Sequence, residues 1–153
     1  MNATRPLVFL VGESDAGNAI ALEQILRRAG LVNGITRFSD GGQVLDFLRE
    51  GGRSPDRRYL LVLDTSFPSR GGLDVLNELR RDVDPDLVSM PALLLCEGEA
   101  VEEELAVGAL RNAACLQRPL SFGALFGWID KLGLACHLRS LDGVFDPSGW
   151  SPS

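Results

Sequence analysis

The chain has 153 residues, of which 45% are hydrophobic, enough to form one domain with a substantial core. Its 21 Asp and Glu residues outnumber its 15 Lys and Arg residues, which gives a formal net charge of −6 with no block of like charge. This balance disfavours a protein that binds nucleic acid through non-specific charge attraction, so we expect no nucleic-acid partner.

The amino-terminal segment predicts no targeting signal. MNATRP is polar, and the apolar stretch behind it is too short for a signal peptide or a membrane span. We therefore expect a cytoplasmic protein without a membrane partner. In that compartment the three cysteines, which show no CxxC spacing, are expected to be reduced, buried thiols rather than a disulfide or a zinc site.

Five short apolar runs alternate with amphipathic segments along the chain. The predicted strands are residues 7–11, 34–38, 59–63, 92–96 and 113–117. The first, third and fourth are almost continuously apolar, as is typical of parallel strands covered on both faces. The predicted helices are residues 16–28, 43–50, 73–81, 99–110 and 121–132, with Asp15 and Ser121 placed as N-caps.

Alternation of strands with helices implies right-handed crossovers and a parallel sheet. We predict an α/β, flavodoxin-like (βα)5 fold: a doubly wound five-stranded parallel sheet of strand order 2-1-3-4-5. Residues 1–133 are predicted to form this domain. Residues 134–153 lack periodicity and are predicted to be a C-terminal tail, docked by Phe145 and Trp150, without a separate effector domain.

In such a sheet the carboxyl ends of the strands converge on one crevice. Carboxylates follow the first and third strands there (Glu13, Asp15 and Asp64), and Arg118 follows the fifth. Two carboxylates and a backbone carbonyl can bind a hard cation such as Mg²⁺, and a basic side chain can stabilise an added phosphoryl group. Taken singly, Asp64 could also be a loop-stabilising cap, and Arg118 a surface residue lying over the edge strand.

Three motifs, in this order, carry a family resemblance. LVLDTSFPSRGGLDVL places Pro four residues and Gly eight residues after Asp64, and it is followed by MPALLLC and LQRP. Over residues 7–132 the chain resembles the receiver domain of response regulators, most closely single-domain regulators of the phytochrome-associated type. The resemblance implies a non-enzymatic, cytoplasmic protein of two-component phosphorelay signalling.

The resemblance also implies roles for individual residues. Asp64 would accept a phosphoryl group from a histidine kinase or phosphotransfer protein, and output would pass to a downstream protein target by contact. Glu13, Asp64 and the backbone carbonyl of Ser66 would hold Mg²⁺, with Asp15 as a further candidate. Arg118 stands in place of the family lysine, and the Arg118–Pro119 bond would be cis.

Several positions depart from the family pattern. Gly12 replaces one member of the acidic pair, and Glu13 is longer than the usual Asp. Cys96 replaces the Thr or Ser that donates to the phosphoryl group, and Cys115 replaces the aromatic switch residue. Arg118 offers a planar fork in place of a compact ammonium. We therefore expect a weakened Mg²⁺ site and weak or absent switching on phosphorylation.

These departures keep a second function open, a phosphorylation-independent pseudo-receiver that acts as a protein-interaction module. Cys96 and Cys115 are expected to pack on adjacent strand ends, with redox sensing as a minor alternative. A homodimer through the fourth helix, fifth strand and fifth helix would follow the family. Trp128, which lies off the core stripe of the last helix, is a candidate for such an interface.

Two enzyme classes are disfavoured. Haloacid-dehalogenase-type phosphatases require a second carboxylate two residues after the strand-end Asp, and Ser66 occupies that position here. GESDAG approaches the nucleophile-elbow pattern around Ser14, yet its single candidate base, His137, lies in the tail.

Overall fold

The computed structural model describes residues 4–65, 71–96, 106–108 and 110–149. Its strands are β1 (Leu7–Gly12), β2 (Ile35–Phe38), β3 (Arg58–Asp64), β4 (Ala92–Cys96), β5 (Ala113–Gln117), β6 (Arg139–Ser140) and β7 (Gly143–Val144). Its α-helices are α1 (Ala16–Arg28), α2 (Gly41–Arg49), α3 (Gly72–Arg80), α4 (Pro85–Val88) and α5 (Phe122–Lys131). Short 3₁₀ helices cover Ala135–His137 and Pro147–Gly149.

The five main strands form one parallel sheet in the order β2-β1-β3-β4-β5, which confirms the predicted fold. The register places Gly12 beside Leu63, and Asp64 beside Leu95. The carboxyl ends of β1, β3 and β4 are therefore level, and residues that follow them lie along one edge of the sheet.

Alternate residues of the strands pack into two hydrophobic cores, one on each face of the sheet. The first core joins Phe9, Val62 and Leu93 to α1 and α5. The second joins Leu10, Leu61 and Leu94 to α2 and α3. Strands buried on both faces explain the nearly continuous apolar runs of the sequence.

The helix starts follow the predicted caps. Asp15 accepts hydrogen bonds from the amides of Gly17 and Asn18, and Ser121 accepts one from Ala124. The helix predicted over 99–110 falls mostly outside the described residues, of which 106–108 are helical. The single turn α4, capped by Asp84, was not predicted because its four residues are too few to show a periodic pattern.

The segment after α5 packs onto the domain. Leu134, Leu138 and Phe145 are buried members of the first core, as predicted for Phe145, whereas Trp150 lies outside the described residues. Buried Asn33 fixes the segment further: its Nδ2 donates to the carbonyls of Leu7 (2.8 Å) and His137 (3.0 Å). Among the described residues, no helix is long and apolar enough to cross a membrane.

Candidate functional site

The candidate site lies at the carboxyl ends of the strands. Glu13 directly follows β1, Asp64 is the last residue of β3, and Arg118 directly follows β5. Glu13 and Asp64 are among the few buried charged residues, with 1% and 5% of their surface exposed. The sheet topology thus brings together three of the residues predicted from the sequence.

Arg118 contacts both buried carboxylates. Its Nη2 donates a hydrogen bond to Oε2 of Glu13, and its Nη1 lies 3.7 Å from Oδ1 of Asp64. The Arg118 side chain is itself only 17% exposed. A guanidinium thus faces two carboxylates in a largely water-excluded place, where charge interactions are stronger than at the surface.

Opposing effects act on the pKa of the Glu13 carboxyl group. Burial raises its pKa above the ordinary value, and the neighbouring Asp64 raises it further. The backbone N–H of Asp15, which donates to Oε1 of Glu13 (3.3 Å), and the charge of Arg118 oppose this shift. The net direction is upward, so the folded protein disfavours the ionised form of Glu13.

Two further residues shape the site through the backbone. A Cβ at Gly72 would lie 2.7 Å from the carbonyl oxygen of Asp64, a distance no side chain tolerates, which explains the glycine eight residues after Asp64. Arg37 in β2 donates to the carbonyls of Glu13 and Ser14, both at 3.1 Å. Sequence analysis missed Arg37, because its role arises only from the position of β2 beside β1.

The chain is similar to response regulators in sequence and in fold. It is 24% identical over 129 residues to the response regulator Rcp1 of Synechocystis sp., covering 83% of this chain and 86% of that protein. The bacteriophytochrome response regulator RtBRR superposes with a TM-score of 0.70 at 24% identity, over 85% of this chain and 79% of that one. A response regulator receiver domain from Rhodospirillum rubrum gives a TM-score of 0.62 at 26% identity, over 83% and 91% of the two chains.

The chain has the receiver fold of response regulators. The resemblance drawn from its motifs is thereby confirmed, including its likeness to phytochrome-associated members. No protein-family model matches the chain. The Mn²⁺-bound form of Rcp1 is also a structural neighbour, with a TM-score of 0.62 at 22% identity over 83% of this chain and 91% of that one.

The chain departs from expectation at its cysteines. Cys96 and Cys115 form a disulfide, so the prediction of reduced thiols is wrong for this pair. Cys136 is a free thiol, as predicted, but it is exposed and not buried. The register explains the pairing. Cys115 lies beside Leu94, two residues before Cys96, so both side chains lie on the same face of β4 and β5, with their Cα atoms 6.5 Å apart.

The described residues at this edge of the sheet offer few ligands for a divalent cation. Glu13 and Asp64 supply carboxylate oxygens, which suit Mg²⁺, but both are in contact with Arg118. The side chain of Asp15 caps α1, and Ser66 lies outside the described residues. Within the described ranges, no cluster of three or more Asp, Glu, His and Cys residues is arranged to hold a metal ion.

Two other predictions from the sequence concern the Arg118–Pro119 peptide bond and the pair Ser14 and His137. The Arg118–Pro119 peptide bond is cis, as the resemblance implied. Ser14 and His137 are not brought together: Ser14 follows the carboxyl end of β1, whereas Nδ1 of His137 contacts the carbonyl of Arg5, before the amino end of β1. The hydrolase alternative therefore finds no serine–histidine pair here.

Proposed function

We propose that the chain is an atypical receiver of two-component signalling in which Asp64 accepts a phosphoryl group from a histidine kinase or phosphotransfer protein. The supporting observation is the meeting of Glu13, Asp64 and Arg118 at the carboxyl edge of the sheet. A nucleophilic carboxylate, an acidic neighbour and a cation within reach of one point are what phosphoryl transfer to an aspartate requires.

In the proposed step, an oxygen of Asp64 attacks phosphorus, and the bond from phosphorus to a donor imidazole nitrogen breaks. The nitrogen keeps the electron pair and takes up a proton, and Asp64 becomes an acyl phosphate. Arg118, which now donates to Glu13, would turn its N–H groups to the new phosphoryl oxygens. Arg118 would bind the phosphoryl group in preference to Glu13, because the phosphoryl group carries more negative charge and burial disfavours the ionised form of Glu13.

The proposed cofactor is Mg²⁺, held by Glu13, Asp64 and the carbonyl of Ser66. When bound, it would neutralise charge that develops on the transferred group. A relative, Rcp1, has a Mn²⁺-bound form, and this supports the binding of a divalent cation by the present chain. The contacts of Arg118 with both carboxylates support a weakened site, because the cation must displace a guanidinium that already satisfies them.

We propose output by contact with a downstream protein, in the cytoplasm and without catalysis. A homodimer through the fourth predicted helix, β5 and α5 is part of this proposal. Trp128 of α5 is half-buried against the first core, with Nζ of Lys131 4.6 Å from its ring centroid. An unchanged sedimentation mass in Trp128→Ala would count against its role in self-association.

The proposal is tested by incubation with acetyl phosphate, or with a cognate kinase, in the presence of Mg²⁺. We expect an acid-labile mass gain of one phosphoryl group in the wild type and none in Asp64→Asn. Asp46→Asn, at an exposed position on α2, is the matched control and should behave like the wild type. Absence of any gain that depends on Asp64 would reject phosphorylation of this site.

A second candidate, the phosphorylation-independent pseudo-receiver, is favoured by one observation. The disulfide joins the two positions where the family has its phosphoryl-binding hydroxyl and its aromatic switch, so neither side chain is free to move. A partner protein that binds wild type and Asp64→Ala with equal affinity, with or without acetyl phosphate, would support this function. Binding that requires Asp64 and rises with acetyl phosphate would exclude it.

A further inference from the structure

A basic cavity opens at the amino-terminal edge of the sheet, opposite the Asp64 site. It has a volume of about 340 Å³ and is lined by four arginines, Arg5, Arg53, Arg57 and Arg58, against one carboxylate, that of Asp86. The chain as a whole carries a net charge of −6. The cavity therefore gathers positive charge in a protein that is otherwise acidic.

Carboxylates of the described residues neutralise only part of this charge. Arg53 is paired with Asp84 (2.8 Å) and lies 3.8 Å from Asp86. Arg5 donates to the carbonyl of Pro55 at 3.2 Å, a neutral acceptor that supplies no opposite charge. Across the described ranges, neither Arg5 nor Arg57 nor Arg58 forms an ion pair with a carboxylate.

A neighbouring histidine responds to the same field. Burial lowers the pKa of His137, and the positive charges of Arg58, Arg139 and Arg5 lower it further, against the hydrogen bond to the carbonyl of Arg5. Arg139 is held beside them by donating to the carbonyl of Thr4. The docked carboxyl-terminal segment thus adds to the positive potential at this edge of the sheet.

The remaining wall of the cavity is partly apolar and firmly held. Tyr59, Met90 and Pro91 line it. The hydroxyl of Tyr59 accepts a hydrogen bond from the backbone of Ser54 (2.7 Å), and its ring packs edge-on against Phe47. A volume of about 340 Å³ lies at the lower end of small-molecule pockets and exceeds the needs of a lone inorganic anion.

We propose that this cavity binds a small phosphorylated molecule, with its phosphate on Arg57 and Arg58 and its body against Tyr59, Met90 and Pro91. Guanidinium groups match phosphate oxygens with paired, charge-assisted hydrogen bonds. A concave site of this size suits a phosphate monoester with a compact body better than an extended polyanion. Because β3 runs from Arg58 to Asp64, the two sites are separated by roughly 20 Å, and either can exist without the other.

The test is isothermal titration calorimetry with adenosine monophosphate, inorganic phosphate and adenosine as probes. We expect saturable binding of adenosine monophosphate, weaker binding of phosphate, and none of adenosine. In Arg57→Ala/Arg58→Ala the affinity for adenosine monophosphate should fall roughly ten-fold or more, because two charge-assisted contacts are lost. Arg27→Ala/Arg28→Ala removes the same charge from α1 and should leave the affinity unchanged.

Three results would overturn the proposal. They are no saturable heat with either phosphate probe in the wild type, equal affinity for phosphate and adenosine monophosphate, and an equal loss of affinity in the α1 variant. Thermal unfolding checks that each variant is folded. If the double variant does not fold, the single variant Arg57→Ala serves as the test, because Arg57 is an exposed residue before β3.

Discussion

At the residue scale, Arg118 sets the electrostatics of the candidate phosphoacceptor site. It contacts Glu13 and Asp64 together, and both carboxylates are almost fully buried. A buried charge pair contributes little relative to apolar residues of the same shape, but removal of one partner leaves the other charge buried and uncompensated. The consequence of changing Arg118 is therefore larger than the strength of either ion pair suggests.

We expect Arg118→Ala to lower the free energy of unfolding at neutral pH by about 3 kcal/mol, because two buried carboxylates lose their cation. Urea unfolding followed by circular dichroism measures this change. Arg37→Ala is the control, since it removes a neighbouring guanidinium that donates to two backbone carbonyls of the same loop. A loss of about 1 kcal/mol is expected for that variant, and equal losses in the two variants would contradict the assignment.

The raised pKa of Glu13 predicts how the stability of the protein changes with pH. Its pKa in the folded protein lies above the ordinary value of 4.5, so the folded chain holds this proton more tightly than the unfolded chain. Binding of this proton therefore stabilises the folded state. The stabilisation is fully present below pH 4.5 and is lost as the pH rises through the raised pKa of Glu13. We expect the unfolding free energy of the wild type, relative to Glu13→Gln, to fall from acidic to neutral pH; a flat or rising difference would refute this.

At the element scale, the pairing of β4 with β5 decides the state of the cysteines. The sequence predicts that Cys96 and Cys115 pack as reduced, apolar side chains on adjacent strand ends. The register sets Cys115 one step diagonally from Cys96, on the same face. The two cysteines are separated by 19 positions in sequence, and the disulfide between them fixes the carboxyl end of β4 beside that of β5.

The disulfide predicts the number of reactive thiols. Protein unfolded without reductant should expose one thiol per chain, that of Cys136, and reduction should expose all three. Reduction, or Cys115→Ser, should lower stability by about 3 kcal/mol, as expected for a loop of this length. Cys136→Ser should not change it. Three reactive thiols in the unreduced protein would show that the pair is not joined.

At the scale of the whole molecule, the segment after α5 is continuous with the core. Leu134, Leu138 and Phe145 fill the first core, and Phe145 packs against the rings of Phe122 and Phe126. Asn33, between α1 and β2, accepts a hydrogen bond from the backbone of Arg139 at 2.7 Å. The predicted domain boundary at residue 133 therefore has a direct experimental test.

We expect Phe145→Ala to lower the free energy of unfolding by about 3 kcal/mol, the usual effect of removing a buried aromatic side chain. Truncation after Gly133 should lower it further, since it removes three buried side chains and two of the three hydrogen-bond partners of Asn33, those in His137 and Arg139. Leu141→Ala is the control, because Leu141 is 91% exposed. A truncated chain as stable as the full chain would show that residues 1–133 form the complete domain.

The extent to which the molecule could be predicted differs between its features. Apolar runs of the right length, Asp15 and Ser121 as caps, and the spacing of Asp64 to Gly72 are local properties, so the elements and the strand order followed from them. The single turn α4 and the hairpin β6–β7 did not, because neither is long enough to show a period. Arg37 and Asn33 act through neighbours distant in sequence, and no local pattern marks them.

The sequence by itself determined the receiver fold and the edge of the sheet at which Glu13, Asp64 and Arg118 would meet, because strand direction alone sends these residues to the same crevice. Only the tertiary structure decided how they interact. Whether Arg118 approaches the carboxylates, whether Cys96 faces Cys115, and whether arginines surround a cavity at the opposite edge depend on register and side-chain packing. These are distances between residues far apart in the chain, which no local pattern encodes.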